Sequence, residues 1–168
     1  MEDGIVNRVA ESALEVFDLE DYYPLGARHE IDMAQWLADG FVLREREFRQ
    51  ALREHDWSQY EGAIVGVFCS TDAILPGWAS LLVSMHAAPF ARRVFSGRAS
   101  DLDQLFYAEL LPSLDFEPYR DKPVIIKGCS RHPVPENAYL LAAQFLQPVA
   151  RSIMYGEACS AVPLYKRR

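Results

Sequence analysis

The run from Ala63 to Phe68 constrains the fold of this chain more than any other feature. It is uncharged and rich in Val. This is typical of a strand that is covered on both faces, and such strands belong mostly to parallel sheets. The run ends in the polar turn Cys69-Ser70-Thr71-Asp72. Because ligands of open α/β sheets lie outside the carboxyl ends of the strands, this turn is a candidate functional site.

From residue 61 onward, strand and helix patterns alternate, which is the signature of βα units. Strands are expected at Ala63–Phe68, Arg92–Phe95, Pro123–Gly128 and Ser152–Tyr155. The helix after the first of these strands repeats Ile74, Trp78, Leu81 and Met85 at spacings of four, three and four residues. Leu75, Ala79 and Leu82 lie beside them, so we expect this wide apolar face to lie on a sheet. The prediction is an α/β fold with three layers and a mostly parallel sheet built from consecutive βα units.

Residues 1–60 mix shorter elements. Leu14–Leu19 alternates as a strand does, Ile31–Ala38 has helical spacing that ends at Asp39-Gly40, and Arg44–His55 reads as a charged helix. We therefore expect an α-rich N-terminal segment packed on the sheet. The length of 168 residues suits one domain, with 1–60 as a mixed N-terminal layer and 61–168 as the βα core.

The composition is that of a folded globular protein, with 50% hydrophobic and 24% charged residues. A net charge of -7 argues against a nucleic-acid partner, which requires clustered Lys and Arg. The one basic run, Lys166-Arg167-Arg168, is either a solvated tail or a docking tail for an acidic protein partner. No run is long enough to span a membrane and no export signal is visible, so a cytoplasmic location is expected.

Three Cys-Ser pairs, Cys69-Ser70, Cys129-Ser130 and Cys159-Ser160, each follow a predicted strand. They are separated by 60 and then 30 residues, and one βα unit takes roughly 30 residues. In a parallel sheet the loops after the strands share one edge. The three thiols are therefore expected to converge on one crevice, provided that their strands are near neighbours.

Converging thiolates bind Zn or an iron–sulfur cluster. A fourth Zn ligand is sought among Asp72, His132 and Glu157. Two alternatives stay open. One cysteine is a nucleophile activated by a helix N-terminus and by Arg131 or His132, or all three are small buried hydrophobes. The hydroxyls of Ser70, Thr71 and Ser130 are either donors to a bound cofactor or anion, or plain helix caps.

The chain lacks the glycine-rich nucleotide motifs, the P-loop, the H-E-x-x-H and G-x-S-x-G patterns and the EF-hand pattern. The common nucleotide, metalloprotease, esterase and calcium mechanisms therefore have no support in the sequence.

Four stretches are similar to a bacterial family of unknown function, domain-of-unknown-function family 2480, over nearly the whole chain. They are His55-Asp56-Trp57-Ser58, Cys69 to Ile74, Lys127-Gly128-Cys129-Ser130 and Gly156 to Lys166. The resemblance implies no defined activity, but it implies genes near those for iron–sulfur assembly. The leading hypothesis is thus a small metal-binding protein, with Zn or an iron–sulfur centre and a link to cluster assembly. The other hypotheses are a thiol or small-ligand enzyme and a non-catalytic interaction protein.

Overall fold

The structure, a computed structural model, describes residues 14–128, 130–157 and 160–168. It is a mixed α/β protein with parallel sheets. The strands are β1 (Glu15–Asp18), β2 (Arg28–Asp32), β3 (Ile64–Phe68), β4 (Arg93–Ser96), β5 (Pro123–Lys127), β6 (Ser152–Tyr155) and β7 (Val162–Lys166). The α-helices are α1 (Glu45–Glu54), α2 (Trp78–Ala87), α3 (Ala99–Leu110) and α4 (Glu136–Leu146). Among the described residues, no helix combines the length and apolar character that a membrane crossing requires.

The chain divides into two compact units, which we name after their place in the sequence: the outer unit is built from the two end segments of the chain and the inner unit from the segment between them. The outer unit takes the chain up to Pro24 together with Phe106–Arg168, and the inner unit is Leu25–Leu105. The chain therefore starts one unit, completes the other, and then returns to the first.

The sheet of the outer unit has the order β1-β5-β6-β7. β5 pairs in parallel with β1 on one side and with β6 on the other, and β7 adds an antiparallel edge strand. The registers place Asp18 opposite Lys127 and Pro123 opposite Ser152. β1, β5 and β6 thus end at the same edge of this sheet.

The sheet of the inner unit has the order β2-β3-β4 and is wholly parallel. Asp32 lies opposite Phe68, and Ile64 lies opposite Arg93. The central strand β3 is buried on both faces over its first four residues, as its apolar sequence predicts.

Each unit has its own hydrophobic core. The central strand supplies Val124 and Ile126 in the outer unit and Val65 and Val67 in the inner unit. Small residues on the sheet-facing side of each following helix complete the packing: Ala79, Val83 and Ala87 on α2, and Ala138 and Ala142 on α4. Small side chains let a helix approach the sheet closely, so both cores are close-packed.

The two units repeat one pattern at an offset of 59 residues. Buried residues recur in pairs at this offset: Phe48 and Tyr107, Leu52 and Leu111, Trp57 and Phe116, Ala79 and Ala138, Ala87 and Leu146. The buried Tyr60 likewise matches the partly buried Tyr119. The backbone hydrogen bond from Gly97 N to Val67 O reappears from Gly156 N to Ile126 O. β1 and β2 do not follow this offset, because they are consecutive strands in the early part of the sequence.

Most predicted elements are confirmed within one or two residues: β1, β3, β4, β5, β6 and α1. The predicted helix at Ile31–Ala38 is wrong. Ile31 belongs to β2, and the Asp32 carboxylate accepts a hydrogen bond from Ala34 N, which ends the strand in a short 3-10 helix. Residues 14–60 hold two strands, three 3-10 helices and one α-helix, so the α-rich character of the N-terminal segment is not confirmed.

The expected single sheet of consecutive βα units is also wrong, because each central strand pairs with an N-terminal strand instead of continuing one sheet. The sheet-facing side predicted for α2 is confirmed in part, since Ala79 is buried in the inner core and Leu75, Trp78 and Leu82 pack against that core. Two other residues of the predicted side do not face the core. Leu81 and Met85 are exposed. The three-layer packing stays a prediction.

Substitution of Gly66 tests whether β3 and the turn after β4 lie as close together as the structure shows. A Cβ at Gly66 would lie 2.4 Å from Gly97 O, whereas a Cβ at Gly77 would meet nothing within 4 Å. We expect Gly66→Ala to lower the free energy of unfolding by about 1–3 kcal/mol through overpacking. Gly77→Ala, at a helical φ of -56°, should raise it by about 0.4–1 kcal/mol. Urea unfolding of both variants measures this, and equal effects would contradict the packing described here.

Candidate functional site

The three predicted cysteine positions follow strands that belong to two different sheets. Cys69 follows β3 in the inner sheet, whereas Cys129 and Cys159 follow β5 and β6, which are neighbours in the outer sheet. Cys129 and Cys159 themselves lie outside the described residues. The convergence of all three on one edge of a single sheet is therefore wrong as predicted, because β3 is in the other sheet. Two of the three segments do leave one sheet edge side by side.

The Cys-Ser pairs also stand at unequal distances from their strand ends. Cys69 comes directly after Phe68, Cys129 is the second residue after Lys127, and Cys159 is the fourth residue after Tyr155. The 60-residue spacing suggested that Cys69 and Cys129 occupy equivalent positions after their strands. In the structure, Cys129 is one residue further from the end of β5 than Cys69 is from the end of β3. Gly128, not Cys129, occupies the place in the repeat that corresponds to Cys69.

Cys69 is half-buried and is held by a short chain of hydrogen bonds. The Thr71 hydroxyl donates to Gly40 O at 2.6 Å, and its oxygen lies 3.3 Å from the Cys69 sulfur. Because the hydroxyl proton is committed to Gly40, the Cys69 thiol is the donor to Thr71. A metal ion at Cys69 would have to replace this thiol proton, and Asp72, which is exposed, lies in the adjoining loop.

Asp32 anchors the loop after β3. Its carboxylate accepts hydrogen bonds from the backbone N–H groups of Ala34 and Ser70, both at 3.0 Å. Burial by itself would raise the pKa of Asp32, but hydrogen bonds from Ser70 and Ala34 and the charge of Arg98 hold it below its ordinary value. The polar groups of Ser70 and Thr71 are thus already bonded within the inner unit, and their predicted cofactor-binding role stays a prediction.

In the outer unit, Glu20 anchors the loop after β5, as Asp32 anchors the loop after β3. The Glu20 side chain is the more buried of the two. It is 5% exposed and lies in the 3-10 helix Leu19–Tyr22, directly after β1. Its carboxylate accepts hydrogen bonds from Ser130 Oγ at 2.9 Å, from His132 N at 2.8 Å, from Arg131 N and from Arg131 Nε at 3.1 Å. One carboxylate therefore fixes the three residues that follow Cys129.

The charge of Glu20 is stabilised by these donors. Burial would raise the pKa of Glu20, but the hydrogen bonds from His132, Arg131 and Ser130 lower it far below its ordinary value. Glu20 is therefore ionised at neutral pH. We call Glu20 together with residues 130–132 the Glu20 clamp.

Charged side chains surround the Glu20 clamp. Arg131 Nη2 lies 3.9 Å from Asp18 and 3.6 Å from Asp21, and Lys127 Nζ lies 3.5 Å from Asp18. The hydrogen bond to Glu20 and the nearby carboxylates raise the pKa of Arg131 above its ordinary value. Three carboxylates, those of Asp18, Glu20 and Asp21, therefore surround two cations, Arg131 and Lys127, at this edge of the sheet.

His132 is oriented by its ring as well as by its backbone. The imidazole stacks on Tyr23 with ring centroids 4.4 Å apart and an angle of 4° between the planes. The ring plane is thereby fixed while the backbone N–H is bonded to Glu20. Such a prepared imidazole is suited to hold a metal ion without a large loss of side-chain entropy.

Tyr139 of α4 closes the edge where β5 and β6 end. A Cβ at Gly128 would lie 2.7 Å from the Tyr139 hydroxyl oxygen, so only glycine allows this approach. The Tyr139 ring also meets Tyr155 edge to face, with centroids 5.6 Å apart. Tyr139 therefore contacts the ends of both strands from which the segments with Cys129 and Cys159 depart.

Sequence reasoning missed Glu20 and Tyr139 as parts of the candidate site. A signal for Glu20 was present, since a carboxylate directly after a predicted strand lies at the edge where ligands bind. Among the described residues, no group of three His, Cys, Asp and Glu side chains is placed to hold a metal ion. The predicted ligands His132 and Cys69 belong to different units.

This fold and site define a class: α/β proteins with parallel sheets, whose polar loops lie at the carboxyl ends of the strands. The family model described as "Protein of unknown function (DUF2480)" matches residues 3–167, so the chain belongs to that family. Neither a curated protein nor a solved structure matches the chain.

The buried charge of Glu20 predicts a specific acid sensitivity. A carboxyl whose pKa is lowered on folding contributes stability that is fully present above its unfolded pKa and is lost as the pH falls. We therefore expect Glu20→Gln to be less stable than the native chain at pH 7, with the difference shrinking below about pH 4.5. Urea unfolding at pH 7, 4 and 3 measures this. Glu61→Gln, which removes an exposed charge, is the matched control, and a pH-independent difference for Glu20→Gln would contradict the prediction.

Proposed function

We propose that this chain binds a thiophilic metal centre, Zn or an iron–sulfur cluster, at the carboxyl edge of the outer sheet. Cys129 and Cys159 are the proposed thiolate ligands. The observation that carries the proposal is the parallel pairing of β5 and β6 in register from Pro123↔Ser152 to Ile126↔Tyr155. The segments with the two cysteines therefore leave neighbouring strands at the same edge.

The distances along the chain are compatible with a shared ion. Neighbouring strands lie about 4.8 Å apart. Cys129 and Cys159 stand two and four residues beyond their strand ends, and residues span at most about 3.6 Å each. Both thiolates can therefore reach one ion without any change in the strands.

His132 and Glu157 supply the proposed remaining ligands, because both belong to the outer unit. Two cysteines, one histidine and one carboxylate give the four ligands that a closed Zn site requires. Cys69 and Asp72 belong to the inner unit and are left out of this ligand set.

The Glu20 clamp would prepare the loop for the metal. It fixes Ser130, Arg131 and His132, which follow Cys129 directly. Groups that orient the ligands of a metal site strongly affect its affinity. We further propose a bacterial origin and a role in cluster assembly or maturation from the resemblance to a bacterial family, and a cytoplasmic location from the sequence pattern.

Metal analysis with matched cysteine variants tests the proposal. The protein is purified without oxygen, and Zn, iron and sulfide are measured per chain. We expect Cys129→Ser and Cys159→Ser each to abolish metal uptake, because each removes one of two thiolates. Cys69→Ser is the matched control and should retain the metal of the native chain. Metal-free native protein, or loss of metal in Cys69→Ser as in the other two, would contradict the proposal.

The proposed role of Glu20 predicts a change in affinity without a change in ligands. Glu20→Gln should weaken metal binding by about 10–100-fold, because the residues after Cys129 lose their anchor. Competition with a chelator at pH 7 measures the affinity, and Glu61→Gln is again the control. An unchanged affinity in a folded Glu20→Gln variant would remove Glu20 from the site.

A further inference from the structure

The first two residues of the basic run at 166–168 are held by the outer unit. Lys166 is the last residue of β7 and lies opposite Ser152 of β6. The guanidinium of Arg167 donates to the Asp121 carboxylate at 2.6 Å and to two backbone carbonyl oxygens, both at 2.9 Å. The charge of Arg167 is therefore engaged within the fold, whereas that of Lys166 is not used in this way.

Lys166 shares a surface hollow with a second cation, Arg151, which directly precedes β6. The hollow has a volume of ≈ 450 Å³, and both side chains are exposed. Among the described residues, neither of these two cations is paired with a carboxylate. Two positive charges thus line one hollow in a chain whose net charge is -7.

Apolar residues form most of the remaining wall, at an irregularity of the edge strand. They are Ile153, Met154, Pro163 and Tyr165. Ile153 pairs with Tyr165, whereas the next residue, Met154, pairs with Pro163. Leu164 is therefore an extra residue on β7, and such a β-bulge bends its strand and tolerates a proline. The hollow thus lies where the pairing of β6 with β7 is interrupted.

The charges and the apolar wall together define the chemistry of a ligand. Small-molecule pockets have volumes of about 300–1,000 Å³ and apolar walls with a few polar groups. A cleft lined by charges of one sign concentrates ions of the opposite sign. An arginine guanidinium matches the paired oxygens of a carboxylate or phosphate group. A ligand that satisfies both parts of the hollow therefore has an anionic head and an apolar body.

An acidic peptide satisfies only one part of the hollow. Its Asp and Glu side chains carry their carboxylates on one or two methylene groups. They can pair with Arg151 and Lys166, but they cover little of the apolar wall. Burial of apolar surface is the main gain from such a wall, so a ligand with a larger apolar body is favoured.

We propose that this hollow binds a small amphiphilic anion. Its carboxylate or phosphate group pairs with Arg151 and Lys166, and its apolar body covers the wall formed by Met154 and Pro163. Arg151 precedes β6, whereas the segment with Cys159 follows β6. The two cations therefore lie at the opposite end of this strand from the proposed metal centre, and binding of the anion does not depend on the metal.

NMR titration of the isotope-labelled full chain tests this site with octanoate, octyl phosphate, acetate and hexaglutamate. We expect an octyl probe to shift the amide signals of Ser152, Met154 and Tyr165, and the two octyl affinities show which head group is preferred. Acetate has a head without a body, so it should bind at least about ten-fold more weakly than octanoate. Failure of both octyl probes to bind, acetate binding as tightly as octanoate, or binding of hexaglutamate alone would overturn the proposal.

Charge-removing variants show whether the two cations hold the head group. Arg151→Gln and Lys166→Gln should each weaken binding of the tighter octyl probe by about ten-fold or more, because each removes a charged hydrogen-bond donor. Arg168→Gln is the matched control, since it removes a charge from the same basic run but from outside the hollow, and it should bind like the native chain. All three side chains are exposed, so circular dichroism and the urea midpoint should show folded variants. Unchanged affinity in both Arg151→Gln and Lys166→Gln, or an equal loss in Arg168→Gln, would contradict the proposed site.

Discussion

The parallel pairing of β5 with both β1 and β6 is the constraint on which the candidate site depends. Because β1 ends opposite Lys127, the 3-10 helix with Glu20 starts next to the loop that follows β5. Because β6 pairs on the other side, the segment with Cys159 leaves at the same edge. The Glu20 clamp and the proposed metal ligands are therefore consequences of one pairing pattern.

The inner unit repeats this pattern with different chemistry. Asp18 and Asp32 both end their strands and accept a hydrogen bond from the N–H group two residues later. In the inner unit Asp32 also binds Ser70, whereas in the outer unit Glu20 reaches the loop from the position that Ala34 has in the inner unit. The loop after β5 is thus held by a buried carboxylate, whereas the loop after β3 is held by the less buried Asp32.

Local elements were predictable because their signals are local. The apolar run of β3 and the charged pattern of α1 are read from neighbouring residues. The strand partners were not, since β1 and β5 are four or five residues long and are separated by more than a hundred residues. The contacts of Glu20 follow from that pairing and could not be derived before it. The 59-residue repeat was detectable, because Trp57 and Tyr60 recur as Phe116 and Tyr119.

X-ray absorption spectroscopy of the metal in protein purified without oxygen tests the central claim most directly, because it counts the sulfur neighbours of the ion. For Zn, the account predicts two sulfur ligands at about 2.3 Å together with nitrogen or oxygen ligands. A spectrum in which the Zn has no sulfur neighbour would contradict it, and so would one with three sulfur neighbours, which would require Cys69.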